Sequence, residues 1–435
     1  MKKSRVIWPV RQGSKRMEAE LSLCQLMEPE VMASPYRLYR ELRETDPVHW
    51  DAFLHAWVVT RYSDVVTVLS RFSADRTLTK ERLDAMGLGT LNPIFEVMSR
   101  QMLFRDPPAH TRLRNLCAAA FSPARIAALR GHIQNIADGL IDKFIEAGRA
   151  DIVHDLAAPM PAIFTAEMLG VPVSDHEKLK QWSIDFAEIL GNFQHQPDRI
   201  ARVAASVRDM TEYFRQAIRE QETNPHEGLI HSLVFASVDG TRLNEEEIIA
   251  NCILTMIGGQ ETATNLIGSG LLTLLRHPEQ LRMLQEDPAL IPLAVEELLR
   301  FESPIQHTAR VAQDDLQLGG KLIRKGQSVV AVLAAGNRDP ERFSNPDVLD
   351  VKRGDKGHLA FGWSAHFCFG APLARMEGQI AFSTILRRLK NLALASEDFV
   401  WRENLGLRGL SGLPVRFDPA IDDLPAFHPQ PTSRV

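Results

Sequence analysis

The sequence is poor in cysteine, with four cysteines in 435 residues and no Cys-x-x-Cys pair. This scarcity excludes a disulfide-stapled fold, argues against a zinc site or a redox dithiol, and is typical of a reducing compartment. An excess of positive charge is also missing, because 50 basic residues against 55 acidic ones leave a formal net charge of -5. A nucleic-acid partner is therefore not expected.

Long apolar runs, Gly/Ser linkers and internal repeats are absent as well. No stretch reaches the roughly 20 apolar residues that a membrane-spanning helix needs. The basic N-terminus is followed by Pro9, Arg11 and Gln12 and not by the apolar core of a signal peptide, so we expect a cytoplasmic protein with no membrane partner. We further expect an irregular extension over residues 1–30, one domain over 31–418 and a C-terminal tail over 419–435.

Most of the chain has apolar residues at helical spacing, for example over 126–147 and 177–190. Ser122-Pro123 interrupts this pattern, which indicates the end of one helix and the start of another. Strand patterns occur at 57–60 and, divided by glycines, over 316–334. The predicted fold class is mainly α with a small β portion.

The longest predicted helix begins at Asn244, which forms a variant of the capping box with Glu247. It continues to Leu275, before His277-Pro278 stops it, and would be roughly 45 Å long at 1.5 Å per residue. Each residue of the pair Gly258-Gly259 in its middle costs about 1 kcal/mol relative to alanine. The pair therefore indicates either close packing or a local opening of the helix.

The segment from Phe361 to Arg375 carries the most chemical information. It reads Phe-Gly-Trp-Ser-Ala-His-Phe-Cys-Phe-Gly-Ala-Pro-Leu-Ala-Arg, which indicates a turn followed by a helix with Pro372 in its first turn. Cys368 would then lie just before a helix N-terminus, where free N–H groups favour a thiolate. Such a thiolate is a strong ligand for iron, although a lone cysteine is more often a buried and inert one.

This segment closely resembles the haem-binding signature of the cytochrome P450 family, Phe-Gly-x-Gly-x-His-x-Cys-x-Gly-x-x-Leu-Ala-Arg, through Phe361, Cys368 and Gly370. Ser364 stands where the second glycine is usual, and a positive φ there would add about 1–3 kcal/mol of strain. The resemblance implies the P450 fold, with haem b between the long central helix and the cysteine-loop helix. It also implies that Cys368 binds the iron.

The resemblance implies a set of haem-propionate ligands too. His110 and Arg114, four residues apart, would share one helix face. Arg310 lies in a strand-like run and His358 precedes the cysteine loop, and both match propionate ligands of the family. From the residues alone, a solvated basic face and a surface histidine are the alternatives.

Glu297 and Arg300 match the Glu-x-x-Arg spacing of the family. Their separation of three residues puts them on one side of a helix. The resemblance implies that Arg353 joins them in a buried ion network with a structural role. An exposed pair worth a few tenths of a kcal/mol is the alternative.

Residues 258–262 read Gly-Gly-Gln-Glu-Thr and resemble the oxygen-activation motif of the family. Gly258 and Gly259 would let dioxygen lie against the helix. The Thr262 hydroxyl can donate and accept, and Glu261 can relay protons from solvent. The alternative is that Thr262 only bonds back to the carbonyl of Gly258.

Apolar residues in three segments predict a pocket for a bulky hydrophobic substrate, although ordinary core packing explains each of them as well. A secondary metabolite is suggested by association with similar family members only. The predicted lining residues are Met86, Leu88, Leu91, Ile94, Phe95, Met98, Phe186, Ile189, Leu190, Phe193 and Ile305.

Together these resemblances imply a haem-thiolate monooxygenase that hydroxylates or epoxidises its substrate with O₂. Electrons would come from NAD(P)H through a ferredoxin and a ferredoxin reductase or a similar donor. Arg112 lies about 200° round the helix from His110 and Arg114, and we expect it on the donor-facing surface. The alternatives are a peroxide-dependent peroxygenase and a non-catalytic haem-binding or gas-sensing protein.

Overall fold

The computed structural model describes residues 21–118, 121, 123–192, 197–237 and 240–419, so residues 1–20 and nearly all of the predicted tail lie outside the description. The described part of the predicted extension is not irregular. Leu23–Met27 form a 3₁₀-helix, and the hydroxyl of its N-cap, Ser22, donates to Asp51 at 2.8 Å. Leu23 and Leu26 are buried. The prediction of irregular structure up to residue 30 is therefore wrong, because apolar side chains anchor this segment to the domain.

The described residues are mainly helical, as predicted. Residues 177–190 form one helix, whereas 126–147 is divided between two helices and a 3₁₀ turn, Ile145–Ala147. In this part of the chain no helix is long and apolar enough to cross a membrane. The α-helices are α1 (Pro29–Ala33), α2 (Tyr36–Thr45), α3 (Tyr62–Arg71), α4 (Lys80–Ala85), α5 (Asn92–Met98), α6 (Ala109–Ala118), α7 (Pro123–Ala128), α8 (Arg130–Asp142), α9 (Pro159–Leu169), α10 (His176–Gly191), α11 (Pro197–Thr223), α12 (Leu229–Phe235), α13 (Glu245–Leu275), α14 (Pro278–Glu286), α15 (Ile291–Phe301), α16 (Leu333–Gly336) and α17 (Ala371–Arg388).

The strands form a small β portion, which confirms the predicted fold class. They are β1 (Val48–Asp51), β2 (Ala56–Val59), β3 (Arg149–Asp151), β4 (Thr308–Val311), β5 (Leu316–Leu318), β6 (Lys321–Ile323), β7 (Ser328–Ala331), β8 (Lys390–Leu394) and β9 (Pro414–Asp418). The sheets have the orders β1-β2-β7-β4, β3-β9-β8 and β5-β6, and only the β2–β7 pair is parallel among these. The predicted strands at 57–60 and 316–334 are confirmed as β2 and as β5, β6 and β7.

Helix α13 crosses the domain and packs against α9, α10, α11 and α17. Its N-terminal capping box is formed as predicted, since Glu247 N–H donates to Asn244 Oδ1 at 2.9 Å and Asn244 N–H donates to Glu247 Oε2 at 3.1 Å. The helix ends at Leu275, and Pro278 begins α14. Most of its side chains are buried, so α13 is the central element on which the candidate site is built.

Candidate functional site

The cysteine loop has the predicted turn and helix. Ser364–His366 form a 3₁₀ turn, and α17 begins at Ala371 with Pro372 in its first turn. The amide of Cys368 donates to the carbonyl of Phe361 at 2.9 Å, and Ala371 N–H donates back to the Cys368 carbonyl at 3.3 Å. These bonds hold Cys368 directly before the N-terminus of α17. A Cβ added to Gly370 would lie 3.8 Å from the Cys368 sulfur, which is an ordinary van der Waals distance.

Ser364, which stands where the family signature has glycine, adopts the left-handed backbone conformation. Its φ is +59°, and that of Gly362 is +72°. An L-residue in this region costs roughly 1–2 kcal/mol. Ser364 therefore strains the cysteine loop where glycine would not.

The electrostatics of Cys368 differ in part from the prediction. Burial raises the pKa of the Cys368 thiol, while the N–H groups of Gly370 and Ala371 and the guanidinium groups of Arg114 and Arg375 act to lower it. The helix N-terminus thus favours the thiolate, as predicted, but burial outweighs it. A bound metal ion would supply the missing positive charge and deprotonate the sulfur.

Beside the loop lies a cluster of basic side chains that includes His110, Arg114, Arg310 and His366. The ring centroids of His110 and His366 are 4.2 Å apart, and Arg114 lies 5.9 Å from the ring of Phe369. Burial, then His110 and Arg310, lower the pKa of His366 to about 3. Burial also lowers the pKa of Arg310 to about 10. The predicted ligands His110, Arg114 and Arg310 are therefore brought together.

Two members of this cluster were missed by the sequence analysis. His366 is part of the signature, two residues before Cys368, and that position could have identified it. Arg76 follows α3 and carries no local signal. Its Nη1 donates to the carbonyl of Ala309 at 3.2 Å, beside Arg310, and burial together with Arg310 lowers the pKa of Arg76 to about 9.

His358 belongs to a different network. Its Nε2 lies 3.1 Å from Glu296 Oε2, and its Nδ1 accepts from the Ala360 amide at 3.3 Å. Both oxygens of Glu296 also accept from Arg375, at 2.6 and 2.9 Å. Although burial acts to raise the pKa of Glu296, the hydrogen bonds from His358 and Arg375 lower it to about 2. Both ring nitrogens thus have partners among the described residues, and the role of His358 as a propionate ligand stays a prediction.

The predicted ion network around Glu297 is present and buried. Arg300 donates to both oxygens of Glu297 at 2.7 Å, and Arg353 Nε lies 3.1 Å from the same carboxylate. Arg300 also donates to the carbonyls of Asn337 and Pro346 at 2.8 Å. The network joins α15 to the chain that leads into the cysteine loop, which is a structural role.

In the middle of α13, one turn is open while its neighbours are buried. Gly258 is exposed, and a Cβ added there would meet nothing within 4 Å. Thr262 Oγ1 donates to the Gly258 carbonyl at 2.7 Å, which is the local bond that the sequence analysis left as an alternative. The turn is not locally unwound, because α13 is continuous.

Gly259 faces the neighbouring helix α9. A Cβ at this position would come within 3.1 Å of Thr165 Oγ1 on α9, so glycine permits close helix packing. Gly259 therefore has a packing role, and its part in letting dioxygen lie against the helix stays a prediction. Glu261 is buried, and its Oε2 accepts from Arg402 Nη1 at 2.5 Å.

The residues present fit the haem that the resemblance implies. Arg310 Nε and His366 Nε2 are buried and have no hydrogen-bond partner among the described residues. The carboxylate of Asp106 acts to raise the pKa values of His110, Arg310 and His366. Three arginines, Arg76, Arg114 and Arg310, belong to the same cluster. Buried cations require compensating negative charge. Two propionates would supply that charge.

Comparisons with known proteins agree with this site. A sequence model of the family Cytochrome P450 matches residues 90–400. The polyketide biosynthesis cytochrome P450 PksS of Bacillus subtilis (strain 168) is 35% identical over 403 residues, which cover 89% of this chain and 96% of the relative. The 6-deoxyerythronolide B hydroxylase of Saccharopolyspora erythraea is 35% identical over 393 residues, covering 88% and 96%.

Solved structures give the same result. P450BioI, in complex with an acyl carrier protein ligated to hexadec-9Z-enoic acid, aligns with a TM-score of 0.85 at 36% identity. The alignment covers 90% of this chain and 99% of that chain. With family signature, fold and full-length relatives in agreement, this chain belongs to the cytochrome P450 family of monooxygenases, whose cofactor is haem b.

Proposed function

We propose that this protein hydroxylates or epoxidises a bulky hydrophobic small molecule of secondary metabolism, with electrons from NAD(P)H delivered by a separate redox protein. One oxygen atom of O₂ enters the substrate, and the other leaves as water after two electrons and two protons have been taken up. The observation that carries the proposal is the open turn of α13, where Gly258 leaves space beside Thr262 and Glu261.

Haem held by Cys368 would supply the activation of dioxygen. His110, Arg114 and Arg310, together with His366 and Arg76, would hold its propionates through charge-assisted hydrogen bonds. Phe361 would fix the cysteine turn through its carbonyl, and the backbone N–H of Gly370 would favour the thiolate of Cys368.

Thr262 and Glu261 would pass protons into the site. The hydroxyl of Thr262 donates to the Gly258 carbonyl, so its oxygen lone pairs remain able to accept a proton-bearing water. Glu261 is the neighbouring carboxyl group and would act as a general acid–base that passes protons inward. A monooxygenase that takes its electrons from NAD(P)H requires this supply, whereas a peroxygenase receives its protons with the peroxide.

The hydrophobic character of the substrate is supported by the residues packed around this side of α13. Most of the predicted lining residues belong to one apolar cluster, in which Leu91, Ile94, Met98 and Phe186 are buried. The partly buried members that pack against this cluster are Leu88, Phe95, Ile189, Leu190 and Ile305.

Two of the predicted lining residues are not counted in this apolar cluster. Met86 is 56% exposed, because it follows the end of α4 and its side chain faces solvent. The prediction that Met86 lines the pocket is therefore not retained. Phe193 lies outside the described residues.

A ferredoxin with its ferredoxin reductase, or a similar small donor, is the proposed electron source. Phe367, directly before Cys368, is 38% exposed and Trp363 is 37% exposed, so the cysteine loop offers an apolar contact surface. Arg112 does point away from His110 and Arg114, but its guanidinium is bound to Glu247 on α13. It is therefore less available to a donor than the sequence suggested. The cytoplasmic location stays a prediction.

A ligand titration of the haem-bound protein tests the proposal. The panel contains 6-deoxyerythronolide B, hexadec-9Z-enoic acid, testosterone and, as a small charged compound, glutamate. We expect a spin-state change in the haem spectrum with at least one hydrophobic compound. That compound should then be oxidised with NADPH, ferredoxin and ferredoxin reductase. A response confined to glutamate, or product formation with hydrogen peroxide but none with NADPH, ferredoxin and ferredoxin reductase, would overturn the proposal.

A further inference from the structure

Glu261 is bound by a cation from the far end of the chain. Arg402 lies 141 residues away, in the segment Trp401–Leu410, whose ends pair through an isolated β-bridge and which we term the C-terminal hairpin. Its Nη1 donates to Glu261 Oε2 at 2.5 Å, and the carboxylate is buried. A charge-assisted bond of this length fixes the orientation of the Glu261 side chain.

A second contact holds the C-terminal hairpin against the same face of α13. Asn265 lies one helical turn beyond Glu261, and a Cβ added to Gly409 would come within 1.8 Å of Asn265 Oδ1. Glycine at 409 is thus required for this approach. The amide of Arg402 donates to the carbonyl of Gly409 at 2.9 Å across the hairpin. The backbone that carries Arg402 is therefore positioned by the Gly409 contact.

Arg402 also borders a polar cleft of about 380 Å³ between α10, α11 and the C-terminal hairpin. Its charged lining includes Glu188, Asp198, Arg202 and Glu403. A polar space of this size holds many water molecules. Arg402 therefore lies between a hydrated cleft and the Glu261 carboxylate.

The amide of Asn265 gives independent evidence for water near Glu261. Asn265 is buried, and neither its Oδ1 nor its Nδ2 has a hydrogen-bond partner among the described residues. Buried polar groups of this kind ordinarily bond to ordered water. A water bonded to the Asn265 amide would lie one turn of α13 from Glu261.

We propose that Arg402 is a positioning residue, which holds Glu261 between the polar cleft and the open turn at Gly258, so that protons reach the site from this cleft. The inference rests on the proposed role of Glu261 in the monooxygenase reaction. Arginine stays protonated and cannot relay a proton itself. Protons pass through water beside Arg402 to Glu261, which releases one inward and regains one from the cleft. Two pass per turnover, matching the two electrons from the donor.

The test compares Arg402→Gln with Arg402→Lys, which retains a cation, and with Arg202→Gln. Arg202 lines the same cleft but pairs with Glu188 at 2.6 Å, so its loss changes the charge of the cleft without touching Glu261. The substrate is the panel compound with the largest spin-state change. Product formation is driven either by NADPH with ferredoxin and its reductase or by hydrogen peroxide.

We expect Arg402→Gln to lower NADPH-driven product formation several-fold and to increase its solvent deuterium isotope effect. Peroxide-driven product formation and the ligand affinity should stay at parental values, because peroxide brings its own protons. Arg402→Lys should recover most of the loss, and Arg202→Gln should match the parent. An equal loss in the peroxide-driven reaction would indicate a general structural role and overturn the inference.

Glu261→Gln separates the inference from the function on which it rests. If Glu261→Gln behaves as the parent, the proposed role of Glu261 fails. If Glu261→Gln is impaired and Arg402→Gln is not, the positioning role alone fails. In the double variant, Arg402→Gln should add nothing to Glu261→Gln, and a further independent loss would contradict the proposal.

Gly409→Ala keeps the test decisive if Arg402→Gln does not retain haem. The added methyl group would overlap the Asn265 side chain, and because Asn265 is buried we expect the C-terminal hairpin to shift and move Arg402 away from Glu261. We expect the same selective loss of NADPH-driven product formation. Gly409→Ala with parental activity and isotope effect would overturn the inference.

Discussion

The amide of Cys368 donates to the carbonyl oxygen of Phe361 at 2.9 Å, and this bond closes the turn that presents the sulfur. The position of Cys368 is thus set by main-chain atoms. Substitution of its side chain should remove the iron ligand and leave the loop in place. The cysteine can therefore be tested without disturbing the rest of the site.

Cys368→His should retain haem through the propionate cluster but lose the red-shifted carbon-monoxide complex of haem-thiolate proteins. The reason is that an imidazole cannot supply the electron density of a thiolate. The measurement is the spectrum of the reduced protein with carbon monoxide. Cys24→Ser is the control and should keep the parental spectrum. A thiolate-type spectrum in Cys368→His would disprove the assignment.

Thr262→Ala should retain haem and ligand binding but divert electrons to hydrogen peroxide, so that product per NADPH falls several-fold. Thr273 is a matched control, because its hydroxyl makes the same bond within α13, to the Ser269 carbonyl at 2.8 Å, away from the open turn. Thr273→Ala should couple as the parent does. Parental coupling in Thr262→Ala would leave only the local bond to Gly258 as its role.

Ser364→Gly should stabilise the protein by about 0.5–1 kcal/mol, because glycine adopts φ near +59° without the penalty of a side chain. The measurement is the urea midpoint of the haem-bound protein at constant slope. Gly362→Ala is the opposite control and should destabilise by about 1 kcal/mol, since φ is +72° there. A lower midpoint for Ser364→Gly would show that the serine hydroxyl contributes more than the strain costs.

Glu377→Gln should change how stability depends on pH. Burial raises the pKa of Glu377 from 4.5 to about 8. Between these values the unfolded carboxyl is ionised and the folded one is neutral, so the free energy of unfolding falls as pH rises. The variant lacks this loss and should be more stable than the parent at pH 8 by on the order of 4 kcal/mol. The gain should vanish near pH 4.5, and urea titrations that give equal differences at both pH values would contradict this account.

Local signals explain which parts of the structure could be predicted from the sequence. The bounds of α13 follow from Asn244 and Pro278, because caps and proline act on adjacent backbone. The turn before α17 follows in the same way from Gly362, Gly370 and Pro372. These features depend on neighbours within a few residues, which the sequence places side by side.

The parts that escaped prediction depend on distant contacts. Arg76 donates to Ala309, which lies 233 residues away on the strand that carries Arg310. Arg402 donates to Glu261 across 141 residues. Neither partner is visible in a local pattern. The contact of His358 with Glu296 escaped prediction for the same reason, since Glu296 lies 62 residues earlier. Side-chain pairing across the fold decides which of several similar basic residues faces the cofactor.

The carboxylate of Glu247 has two partners on two elements. Its Oε2 accepts from the Asn244 amide at the start of α13, and its Oε1 accepts from Arg112 on α6, the helix that also carries His110 and Arg114. Arg112 therefore links α6 to the carboxylate that caps the first turn of α13. We expect displacement of α6 to loosen this turn, and amide hydrogen exchange at the start of α13 should report motion of the helix that carries the predicted propionate ligands His110 and Arg114.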